Sequence, residues 1–108
     1  MPGITLLHLP GHTPGHSGYR ISSGTQTLLI WGDIVHYPNI QVPRPAVTIA
    51  FDVDSAAASV TRRAVLAMAA AENPLIAGMH LNFPGFARVR ASGESYSILD
   101  EPWSPDLI

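Results

Sequence analysis

The sequence contains no cysteine and no lysine. The first absence removes disulfides, thiolate metal sites and cysteine nucleophiles together. The second leaves six arginines against eight acids, for a formal net charge of −2. That balance gives no electrostatic footing for nucleic acid or an anionic membrane surface. No apolar run approaches the roughly 18 residues that a bilayer span requires. The opening Met-Pro-Gly-Ile-Thr also lacks the charged-then-apolar layout of a secretory leader. These absences lead to the expectation of a cytoplasmic protein. Internal repeats, linkers and low-complexity segments are missing as well.

What remains is a chain of 108 residues, 46% of them hydrophobic. This is enough for one domain with one modest core. Its most distinctive stretch is Leu9–Tyr19, in which two prolines, three glycines and two histidines lie between short apolar runs. Each proline removes a backbone donor and restricts its predecessor, so a helix is excluded there. A stiff loop that aims imidazoles at a fixed point is expected.

Patterning places the remaining elements. Ile4–Leu9 reads as a short strand, and His16–Ser22 alternates loosely ahead of a Ser-Ser-Gly-Thr turn. The continuous apolar run Thr27–Trp31 suits a central strand covered on both faces. Ile34–Pro45, with three prolines, reads as a long ordered loop, and Ala46–Phe51 as a short extended piece. Asp54 is placed to cap a helix over Ser55–Glu72, stopped by Asn73-Pro74. On that helix Ala57, Val60, Ala64, Met68 and Ala71 form one apolar stripe, which leaves Arg62 and Arg63 on a solvated face. Leu75–Met79 reads as a further strand ending at His80, and Phe86–Arg90 with Tyr96–Leu99 as a hairpin. The expected class is αβ, or α+β: a mixed sheet, one long helix and a C-terminal hairpin.

His12, Asp33 and His80 share one context, a loop that follows a strand. In open α/β architectures such loops gather around a single site. Two imidazoles and a carboxylate form a borderline-soft donor set that fits zinc best, with iron or manganese next. His16 follows Gly15 and is expected to fix the loop through a hydrogen bond rather than to ligate. His8 is expected to be a partly exposed strand residue. His36, three residues after Asp33, could reach the same cleft as a substrate contact or extra ligand. Arg44 could bind a substrate carboxylate, although a surface role is the plainer expectation. Tyr37 and Trp31 read as wall and core, and Asp52 with Asp54 as a turn and helix-cap pair. A cupin-like histidine barrel is disfavoured, because the long alanine-rich helix does not suit an all-β barrel.

Pro10-Gly11-His12-Thr13-Pro14-Gly15-His16-Ser17-Gly18, then Trp31-Gly32-Asp33, then Ala77-Gly78-Met79-His80, resembles the later motifs of the metallo-β-lactamase superfamily, in the right order. The segments His36-Tyr37-Pro38 through Phe51-Asp52-Val53-Asp54 and Leu81–Phe86 resemble a hydrolase-like branch of it. The resemblance implies half of an αββα sandwich, so that residues 1–108 form a single partial domain. It implies His12 as a ligand of a first metal, His80 as a ligand of a second, and Asp33 as the carboxylate bridging them. Two zinc ions would activate water for attack on the ester, thioester, lactone or amide carbonyl of a small molecule.

The family's His-x-His-x-Asp-His motif occurs nowhere in the 108 residues. Three situations could accommodate this: a piece of a longer enzyme, a half-domain that pairs with itself or with a complementing N-terminal half, or an inactive relic. The first is expected. In each of them the sheet would present an apolar face that the other half normally covers.

Overall fold

The computed structural model describes residues 2–105. Six strands form one mixed sheet in sequence order: β1 (Ile4–His8), β2 (Ser17–Ser23), β3 (Gln26–Ile30), β4 (Leu75–Ala77), β5 (Phe86–Ser92) and β6 (Ser95–Asp100). All neighbours pair antiparallel except β3 and β4, which are parallel. β1 therefore runs in the same direction as β3 and β4, and the carboxyl ends of all three open at one edge of the sheet. A parallel pair needs a crossover. Here it holds a 3₁₀ turn at Gly32–Ile34, the one-turn helix α1 (Pro38–Gln41) and the long helix α2 (Ser55–Glu72).

The bounds of α2 are those expected from its caps. The Asp54 carboxylate accepts from the Ala57 amide at 3.0 Å. At the other end Asn73 adopts the left-handed conformation with φ 52° and ψ 46°, and its amide returns to the Ala69 carbonyl. The loop expected at Ile34–Pro45 is thus partly helical. The extended piece expected at Ala46–Phe51 does not form a strand. Its backbone turns, with the Asp52 amide donating to the Ile49 carbonyl.

The helix buries a different stripe from the expected one. Ala58, Arg62, Val65, Leu66 and Ala69 face inward, while Val60 is 69% exposed. Eight of the 18 helix residues are alanine, so several stripes look equally apolar in sequence. The bulk of Val65 and Leu66 decides among them. Arg62 is not on a solvated face either, being 1% exposed, whereas Arg63 is exposed as expected.

One face of the sheet packs under α2 with Leu29, Ile76 and Ala87 directly opposite one another, all buried. Trp31, Ile34, Val35 and Val42 complete this core. The other face carries a row in register across five strands: Leu6, Tyr19, Ile30, Ala77 and Phe86. A second row beside it holds Ile4, Ile21, Leu28 and Leu75. Leu6 is 62% exposed and Tyr19 45%. β3 is therefore fully covered on one face only, and the apolar face expected from the sequence is present. Among the described residues no helix is long and apolar enough to cross a membrane.

The helix registry is checked by two truncations. Leu66→Ala should cost about 2–5 kcal/mol in urea unfolding. Val60→Ala, on the stripe expected from sequence, should change stability by less than about 0.5 kcal/mol. Equal costs would contradict the packing described.

Candidate metal centre

The shared direction of β1, β3 and β4 brings three loops to one edge: Leu9–His16 after β1, Trp31–His36 after β3 and Gly78–Asn82 after β4. The first is sewn onto the start of α2. The Asp54 and Val53 amides donate to the Gly11 and His12 carbonyls, and the Thr61 hydroxyl donates to the Pro10 carbonyl at 2.7 Å. Gly11, at φ +136°, passes so close to the helix that a Cβ would lie 2.2 Å from the Ala58 nitrogen. Only glycine fits there.

His16 joins the first loop to the second. Its Nδ1–H donates to the Leu9 carbonyl at 2.8 Å, and its Nε2 accepts from the Asp33 amide at 2.9 Å. Both ring nitrogens are thereby engaged in hydrogen bonds that join the two loops. The ring lies over Gly32, where a Cβ would come within 2.6 Å of Nε2.

Asp33 is thus held by its backbone while its carboxylate points into the cleft between two imidazoles. Oδ2 lies 3.5 Å from His12 Nε2, and Oδ1 lies 3.0 Å from His80 Nε2. His36 stands between the two rings, stacked on His80 with centroids 4.2 Å apart and tilted to His12 at 5.0 Å. One donor atom each from His12, Asp33 and His36 can be chosen so that all lie within 4.8 Å of one another. The structure therefore gathers His12, Asp33, His36 and His80. Arg44 stays out: it is exposed on the turn after α1, and no contact described for it reaches this cluster. His8 is exposed and donates to the Pro14 carbonyl. Trp31 is buried and Tyr37 is exposed, one core and one rim.

Sequence reasoning missed three supporting residues. Asp52 is not merely a turn acid, since its Oδ1 accepts from His12 Nδ1–H at 3.1 Å. Gln41 is fully buried, and its Oε1 accepts from the His36 and Tyr37 amides while its Nε2 donates to the Val47 carbonyl. Arg62 donates to the Ile34, Pro45 and Val47 carbonyls. The one available signal was the second acid ahead of the helix cap, because a helix start needs only one.

With this geometry in place, comparison with known proteins is decisive. The sequence model of the metallo-beta-lactamase superfamily matches residues 1–80. The chain belongs to this superfamily. A solved hydrolase, AbOPH, described as in the beta lactamase superfamily, is 31% identical with a TM-score of 0.91, over 96% of this chain and 36% of its own. AidC, a dizinc quorum-quenching lactonase, is 26% identical with a TM-score of 0.89, over 94% of this chain and 35% of its own. An N-acyl homoserine lactone hydrolase, solved with product at its catalytic metal centre, is 23% identical with a TM-score of 0.59, over 80% and 37%. That last likeness shows the fold alone. No curated protein matches the sequence. The chain spans about a third of the length of each solved relative.

Superfamily members are metal-dependent, and the donor set here fits a metal. Two ligand atoms about 2.1 Å from one tetrahedral ion stand about 3.4 Å apart. The two carboxylate oxygens of Asp33 face separate imidazoles at 3.5 Å and 3.0 Å.

Burial first, and then the neighbouring His80, hold the His36 imidazole below the ordinary histidine value of 6.5, with His12 adding to the effect. Asp33 and Asp52 pull the other way. The native state then binds fewer protons at His36 than the unfolded chain does. This part of the stability is fully present above about 6.5 and is lost as pH falls through the native value. In chelator-treated protein, wild type should therefore lose stability relative to His36→Gln as pH drops below about 6.5. Parallel stability profiles for the two proteins would contradict this.

Proposed function

We propose that this chain forms one side of a metal-dependent hydrolase centre, with His12 and His80 each supplying Nε2 and Asp33 a bridging carboxylate. The observation that carries the proposal is the placement of the two Asp33 oxygens, each turned to a different imidazole. Two zinc ions, or iron or manganese, would supply a water of lowered pKa and positive charge to offset the developing oxyanion. The protein's own share is positional. His16 holds the Asp33 backbone at the cleft, from where its carboxylate reaches both imidazoles. His36, kept neutral by its surroundings, is placed to accept a hydrogen bond from a bound substrate or to add a nitrogen beside His12.

A small-molecule ester or lactone is the substrate class that best suits this centre. The names of the lactonase relatives support it. The chain carries no His-x-His-x-Asp-His motif, so a complete two-ion site needs groups beyond these residues. The isolated chain is accordingly a weak zinc binder and a poor catalyst.

A chimaera joining the N-terminal part of the AbOPH hydrolase to this chain tests the proposal. It should hold zinc and cleave an activated ester or lactone, and His12→Ala or Asp33→Asn should lower kcat/KM by about two orders of magnitude or more. A folded, zinc-loaded chimaera indifferent to Asp33→Asn would overturn the assignment. Near-stoichiometric zinc and rapid turnover by the 108-residue chain alone would overturn the incompleteness of the site.

The exposed apolar rows favour a second reading, a non-catalytic half-domain that associates with itself through that face. Light scattering should then show a dimer, with Leu6→Glu restoring the monomer. A stable wild-type monomer that binds no hydrophobic dye removes this reading.

A further inference from the structure

Asp52 and Arg62 form a buried charged pair that has no part in the ligand set yet reaches both sides of it. The Asp52 side chain is 1% exposed and so is that of Arg62, with Asp52 Oδ2 3.7 Å from Arg62 Nη2. Arg62 spends its other donors on backbone: Nε on Ile34 O at 2.7 Å, and Nη1 on Pro45 O at 2.7 Å and Val47 O at 3.0 Å. All three carbonyls belong to the segment that leaves Asp33 and carries His36. Val47 O also accepts from Gln41, whose own oxygen receives the His36 amide. One guanidinium therefore anchors the second loop, while its facing carboxylate holds the first through His12.

A guanidinium stays charged even when buried, so its burial is tolerated only where a counter-charge and carbonyl acceptors offset the cost. Asp52 is the carboxylate facing Arg62, 3.7 Å away, and supplies that counter-charge. An ionised carboxylate is an acceptor only. At 3.1 Å from His12 Nδ1 it requires the proton on that nitrogen. In the neutral ring Nε2 is then the bare nitrogen, facing the cleft and Asp33 across 3.5 Å.

We propose that the Asp52–Arg62 pair is a positioning device that locks His12 in its Nδ1–H tautomer, with Nε2 bare towards the cleft. A free histidine side chain exchanges between both tautomers and many ring orientations, whereas metal-ligating histidines are held in one of each by such a carboxylate. The lock is built into the metal-free fold and precedes any ligand. The proposal rests on His12 being a ligand only for its purpose, not for its chemistry.

The test is the tautomer itself. Long-range proton–nitrogen NMR of the metal-free, nitrogen-15-labelled chain at mildly alkaline pH should show His12, identified by its loss in His12→Gln, as Nδ1–H. Asp52→Asn should abolish that pattern, and Asp52→Glu should restore it in part. Asp52→Asn leaves Arg62 buried without its counter-charge and can unfold the chain. The double variant Asp52→Leu with Arg62→Met removes both charges at similar volume and keeps the fold testable. Loss of the Nδ1–H pattern in the folded double variant supports the lock, and its retention overturns it. Zinc titration separates this from the hydrolase assignment. Affinity indifferent to His12→Gln overturns the ligand role and leaves the tautomer result standing.

Discussion

Three strands that run the same way set the conditions for everything else in this molecule. β1 and β3 are separated by an antiparallel strand, and β3 and β4 pair in parallel. Their carboxyl ends consequently share an edge, and each is followed within three or four residues by a side chain able to bind metal. Had β4 paired antiparallel to β3, His80 would sit at the far end of the sheet from Asp33. The cleft is thus a product of topology first and of side-chain detail second.

Within the cleft, neutral and charged groups have distinct tasks. His16 bridges a carbonyl and an amide, a role that only a neutral imidazole can fill. Its use of both nitrogens couples the first two loops without adding charge. Asp52 and Arg62 do the opposite and place a full ion pair in the interior. The cost of burying it is offset by three carbonyl acceptors and by His12. Asp52 Oδ2 remains without a hydrogen-bond partner among the described residues, so the pair is held by charge at that end rather than by a formed hydrogen bond.

Much of this was legible in the residues. Helix α2 announced both ends, because Asp54 and Asn73-Pro74 are local signals with local causes. His12, Asp33 and His80 could be grouped because each follows an apolar run, and strand periodicity is also local. Four features were not legible. The buried stripe of α2 could not be told from its neighbours where alanine occupies so many positions. A burial pattern then counts for less than the bulk of two residues, Val65 and Leu66. Arg62 looked like surface because its partners are backbone carbonyls far away in sequence, which no composition reveals. Asp52 was hidden by its neighbour Asp54, whose capping role seemed to explain both acids. The turn at Ala46–Phe51 is not legible because its β-branched residues favour strands, yet the Val47 carbonyl is drawn to Arg62 and Gln41 instead.

The parallel pairing of β3 with β4 has a bearing on timing. The two strands meet only after the whole chain from Trp31 to Pro74 has been looped back, whereas β1–β2, β2–β3 and β5–β6 are hairpin neighbours. Long closures are entropically dearer and slower than hairpin closures. Asp33 lies at the start of that loop and His80 lies beyond its end. The two oxygens of one carboxylate can face two imidazoles only once the slowest contact of the sheet has formed. Until that contact forms, Asp33 and His80 stay on unpaired parts of the chain, so the seat of the bridging carboxylate is among the last features of the sheet to be assembled.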